Sequence, residues 1–233
     1  MAGLRGAFLL AMPLLLLAVF ARADDPGSPV EATQKKDTKQ AKEIAKVREA
    51  FVAISAAVIA GDGETFAGLV TRDSIRLYGL IRDLAVYADQ QELQGVESTV
   101  RMTVLNLRLR APRDVLLQKD PRALIAYAVE NGMIISDEIK QTEIGEVLVT
   151  GREALISVRV KGQLARGFFV FRNEHGWKID LEHLVVSSRG VVDALARKRE
   201  VSEEVMLLEL LSKAVGKPVG MEVWQPLEAR GAK

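Results

Sequence analysis

The chain has 233 residues, 48% of them hydrophobic and 27% charged, with 32 lysines and arginines against 31 aspartates and glutamates. So close a balance excludes wholesale attraction to nucleic acid or to an anionic membrane, because counterion release needs clustered positive charge. There is no cysteine, which removes disulfides, thiolate metal sites and cysteine nucleophiles.

The first element is a leader. Arg5 precedes an apolar run from Ala7 to Phe20, interrupted only by Pro13, and Ala21-Arg22-Ala23 offers small residues ahead of Asp24. This is the pattern of a secretory signal peptide over residues 1 to 23. The run falls short of the ~20 apolar residues that cross a bilayer. The expectation is a periplasmic or secreted protein with no permanent membrane span once the signal is removed. Residues 24 to 37, rich in Pro, Gly, Ser and charge, read as a flexible linker. Residues 38 to 233 are then one domain, long enough to bury a core without staples.

From Thr38 the apolar residues Ile44, Val47, Phe51, Ile54 and Val58 recur at steps of three and four, which puts them on one stripe of a helix that Gly61 ends. Asp62 caps a short helix through Val70, and Thr71 caps another with Ile75, Tyr78, Ile81 and Ala85 on one face. Val96 to Arg110 fits both helical and strand periods, and helix is favoured. Pro112 ends it. Asp120-Pro121 starts the next helix, with Leu124 and Ala128 inward and Gly132 near its end.

The period then changes to two. Ile144 to Val149, Ala154 to Val160, Leu164 to Phe171 and Trp177 to Leu181 are strand-like, and their short connections imply antiparallel hairpins. Phe168 and Val170 oppose Phe169 and Phe171, so this strand is expected to be central and covered on both faces. Ser187 to Arg199 reads as a polar-faced helix. Ser202 caps an apolar helix through Val205, Leu208, Leu211 and Val215 to Gly216, which either completes the core or forms a homodimer surface. Met221 to Leu227 either docks on the sheet as an edge strand, the favoured reading, or presents Trp224 to a partner.

A long N-terminal helix, the Gly61-Asp62-Gly63 turn into a second one, and the late run Phe169-Val170-Phe171-Arg172-Asn173-Glu174-His175-Gly176-Trp177-Lys178-Ile179-Asp180 together resemble the NTF2-like superfamily. The similarity covers about residues 40 to 70 and 144 to 182. It implies an α+β fold in which N-terminal helices pack on a curved antiparallel sheet, the NTF2-like cone, with C-terminal helices added. Some members of the superfamily are lyases, isomerases or hydrolases with a pocket between sheet and helices. Others only bind proteins.

Two histidines are present, His175 in a hairpin turn and His183 after the last strand, and neither has a metal spacing. No metal and no cofactor is expected. Asp180 and His183 would make an acid/base pair if they faced a cavity, with Tyr78 as a third candidate lining it. The period of two instead sets Asp180 opposite Trp177 and Ile179, which leaves it in solvent. Arg101, Arg108, Arg110 and Arg113 form a local positive cluster. Arg108 and Arg110 are the candidates to grip a carboxylate or phosphate, and a solvated helix face is the plainer reading. The reading that results is an exported, non-catalytic module that binds a small molecule or protein. Its alternative is a lyase or isomerase-type enzyme using Asp180 and His183 in a sheet-helix cavity.

Overall fold

The computed structural model describes residues 30–134 and 139–228. The expected signal segment and the first part of the expected linker lie outside these residues. Ten helices and four strands follow one another: α1 (Val30–Ala60), α2 (Gly63–Gly68), α3 (Arg72–Tyr87), α4 (Gln90–Gln94), α5 (Ser98–Arg110), α6 (Arg113–Leu116), α7 (Pro121–Glu130), β1 (Thr142–Thr150), β2 (Glu153–Val160), β3 (Gln163–Asn173), β4 (Trp177–Ile179), α8 (Leu181–Ser187), α9 (Val191–Arg199) and α10 (Glu203–Val215), all among the described residues. The class is α+β. Helix α1 starts at Val30, inside the stretch expected to be a flexible linker.

The sheet is antiparallel in the order β1-β2-β3-β4, and Val70 adds a parallel bridge to Ile179 outside β4. Its inner face carries Val147, Ala154, Ile156, Val158, Phe171, Trp177 and Ile179, all buried with Val47, Phe51, Ile54 and Val58 of α1. Phe51 meets Phe169 edge to face, with ring centroids 6.0 Å apart. Polar contacts fix how α1 lies on the sheet: the Trp177 indole donates to Glu43 at 3.0 Å, and Arg48 donates to the Gly145 carbonyl at 2.9 Å. The bonds from Lys46 and then Trp177 hold the Glu43 carboxyl below the usual carboxylate range.

Two turns seat the helices beneath this sheet. Gly61, at φ +69°, takes the left-handed conformation that ends α1. Gly63 is needed for a different reason: a Cβ there would sit 2.2 Å from the Ala126 carbonyl oxygen, so α2 and α7 touch backbone to backbone. Asp62 and Thr71 cap α2 and α3 as their sequence positions suggest, accepting from Thr65 and Ser74 N–H.

A second apolar cluster joins Ile81, Ala85, Leu105, Leu107 and Leu124 to Met206, Leu207, Leu211 and Trp224. Helix α10 therefore completes the core through Met206, Leu207 and Leu211, while Val205 stays 44% exposed. The final segment docks as a 3-10 turn, Met221–Trp224, and not as an edge strand; Trp224 is fully buried. Leu227 and Glu228 N–H groups both donate to the Val86 carbonyl, which ties the tail to the end of α3.

Three further expectations change. The fourth strand stops at Ile179 because Asp180 caps a helix there. The helix expected over 187 to 199 is broken at Gly190, which takes φ +75° between α8 and α9. Strand β3 is central, but only part of its outer face is covered. Val170 is buried where α8 packs on β3, whereas Phe168 stays 50% exposed.

Candidate functional site

Three of the site residues expected from the sequence, Asp180, Tyr78 and Arg108, make their main contacts within the fold. Asp180 is 3% exposed, so the strand periodicity misplaced it. Alternation ends at Ile179, and the next residue turns inward as the cap of α8: Oδ1 accepts from His183 N–H at 3.0 Å and from the Ser74 hydroxyl at 3.4 Å. Its Oδ2 accepts from Arg172 Nε at 2.7 Å, a bond that raises the guanidinium further above its ordinary value. Ser74 Oγ in turn accepts from Glu182 N–H at 3.0 Å and lies 2.7 Å from Thr71 Oγ1. This web joins the starts of α3 and α8. His183 meets Asp180 through its backbone N–H and not its imidazole, so the two do not form an acid/base pair.

Tyr78 packs between the two apolar clusters, and burial pushes its hydroxyl above the ordinary range. It is core. Arg108 is half-buried and its guanidinium is taken up within the fold. Its guanidinium donates to the carbonyls of Leu84, Ala85 and Ala88 at the end of α3, and to those of Val223 and Trp224 in the terminal turn. Burial lowers it to about 10, which leaves it charged at neutral pH. That charge sits at the negative end of the α3 dipole. Arg110 donates to the Gly132 carbonyl at 3.4 Å and is likewise lowered by burial. Arg101 pairs with Glu203 at 2.7 Å, and Arg113 pairs with Glu228. The four arginines of the α5 region fasten helices together.

A different set of arginines converges at the surface. Arg72, Asp73, Ile75 and Arg76 from the start of α3, Arg122 from the start of α7, Arg152 from the β1-β2 turn, and Glu174 and His175 from the β3-β4 turn line a cleft of about 620 Å³. Four guanidiniums thus face two carboxylates. Glu174 accepts from Arg72 N–H at 3.2 Å, and Asp73 pairs with Arg76. Arg152 donates to the Asn173 carbonyl at 2.7 Å, which locks the two hairpin turns to each other. Arg76 and Arg122 keep 78% and 55% of their side-chain surface in solvent, so both present donors to a solute.

The residues that line this cleft include no serine, threonine, tyrosine or cysteine. It has the donors to hold an anion, and its other polar groups are Asp73, Glu174 and His175. Among the described residues there is no group of three or more His, Asp or Glu arranged to hold a metal ion, and no helix long and apolar enough to cross a membrane.

Sequence reasoning passed over these arginines because they are scattered over eighty positions. One signal was legible: Arg152 and His175 fall in predicted turns, where side chains project. Their convergence with Arg72 and Arg122 is set by sheet register and by the packing of α3 on α7.

Comparison with family models, curated proteins and solved structures yields no match. The functional reading rests on geometry.

Proposed function

We propose that the protein is an exported, non-catalytic binding module whose ligand presents an anionic group to the arginine cleft. The observation that carries this is the meeting of Arg72, Arg76, Arg122 and Arg152 around one open hollow. Guanidinium groups match carboxylate and phosphate oxygens in pairs, and these four are brought together from three places in the fold, α3, α7 and the β1-β2 turn. Export is supported by the signal-like pattern of residues 1 to 23. The NTF2-like reading of the central region is supported by α1 lying on the inner, aromatic face of an antiparallel sheet that closes with the Trp177 strand.

Calorimetric titration with inorganic phosphate and with succinate tests the reading. Saturable binding of at least one probe is expected, weakening as salt is added. The Arg76→Gln/Arg122→Gln double variant, at the two most exposed guanidiniums, is expected to bind roughly tenfold or more weakly at an unchanged melting temperature. Absence of binding by both probes, or equal binding by the double variant, would defeat it.

A further inference from the structure

The arginine cleft already holds an anion of the chain's own. Glu174, half-buried in the β3-β4 turn, turns its carboxylate onto the first amide of α3, where both oxygens accept from Arg72 N–H, at 3.2 and 3.4 Å. These bonds are long beside the ~2.7–2.9 Å of a strong charge-assisted contact. Helix α3 does not depend on them, because Thr71 caps it from within, accepting from Ser74 N–H. The turn is held independently: Glu174 N–H donates to the Gly176 carbonyl at 2.9 Å, Gly176 N–H to Asn173 Oδ1 at 3.3 Å, and Arg152 to the Asn173 carbonyl. The Glu174 side chain can therefore leave the amide by rotating about its own bonds, with the backbone in place.

We propose that Glu174 fills the anion position of the cleft until a ligand displaces it, and that the displacing group is a phosphate dianion. This rests on the anion-binding reading above. A tethered carboxylate competes at an effective concentration on the order of millimolar. A free carboxylate that replaces it exchanges like for like and gains no charge, whereas a phosphate dianion brings twice the charge and a third oxygen to the same donors. The balance of the lining fits: the four guanidiniums less Asp73 and Glu174 leave two positive charges over. Succinate also carries two charges, but it spreads them over two carboxylates, each of which meets the same competitor singly. The hollow, about 620 Å³, is of the size that takes a small molecule, so the phosphate can be free or carried as a monoester.

Calorimetry in mildly alkaline buffer, on the native chain and on Glu174→Gln, is the test. Glutamine keeps an oxygen for the Arg72 amide and drops the charge, so a Glu174 that only capped α3 would leave anion binding as it was. The native chain is expected to bind inorganic phosphate more tightly than succinate. Glu174→Gln is expected to gain roughly fivefold in phosphate affinity, the effect of one unit charge about 4 Å away in water, at an unchanged melting temperature. Glycerol 3-phosphate, run beside inorganic phosphate, separates the two sources, the tighter of them being the form the cleft takes. Phosphate affinity that Glu174→Gln leaves equal or lowers, or succinate bound by the native chain as tightly as phosphate, overturns the proposal while the anion-binding reading stands. No binding of phosphate or succinate by either protein overturns both.

Discussion

The most direct check on the structural account is to remove Asp180. In Asp180→Ala the cap of α8 is lost, which costs about 1 kcal/mol. The charged bond from Arg172 Nε also goes, worth about 1.5–3 kcal/mol where both partners are buried. Arg172 keeps 44% of its side-chain surface exposed and can return to water, so the lower half of that range applies. The Ser74 hydroxyl retains Thr71 and Glu182 as partners and adds little. The expected loss is therefore about 2–4 kcal/mol. Urea unfolding followed by far-ultraviolet circular dichroism measures it. Asp180→Asn keeps an acceptor for the His183 N–H and should lose roughly half as much. A double-mutant cycle with Arg172→Ala isolates the ion pair. Loss of less than about 0.5 kcal/mol on Asp180→Ala would refute the reasoning, because surface changes fall in that range. Unchanged stability with abolished ligand binding would return Asp180 to the site.

Gly63→Ala should destabilise by about 3 kcal/mol or more through its clash with the Ala126 carbonyl, whereas Gly68→Ala, with open space around its Cβ, should be neutral or stabilising; paired melting curves separate them. Arg108→Met removes the side-chain donor shared by five carbonyls and should release the terminal turn, read as faster amide exchange over residues 221–228 at about 3 kcal/mol lower stability. Burial, partly offset by Arg101, raises the Glu203 carboxyl above its ordinary value. The protonated form is therefore favoured in the folded state, and this contribution is fully present below the ordinary carboxylate range and fades as pH rises through the raised value. Denaturation across the acid range should show that fall in the native chain and not in Glu203→Gln; identical profiles would remove Glu203 as its source.

Local signals were legible wherever chemistry was confined to neighbours. Asp62, Thr71, Asp120 and Ser202 cap helices as short-range hydrogen bonding dictates, and the alternation along Ala154 to Val160 is the alternation of burial. The ambiguity over Val96 to Arg110 has a cause in the structure. Helix α5 buries Val104, Leu105 and Leu107 together with Arg101 and Asn106, so no single polar face marks it as a helix. Asp180 was misplaced because a period-two pattern cannot announce the residue at which it stops.

What the amino-acid order alone determined is the succession of helices and hairpins, since capping, turn formation and burial periodicity act over a few residues. Only the tertiary structure decided which charges are spent and which remain. Arg108 is consumed by carbonyls from α3 and the terminal turn, while Arg122, paired loosely with Asp120 at 3.7 Å, and Arg152, bonded to the Asn173 carbonyl, are carried to one cleft by the packing of α7 and the register of β1 on β2. The physical reason is that a guanidinium's availability depends on acceptors a hundred residues away, and chain folding alone sets those distances.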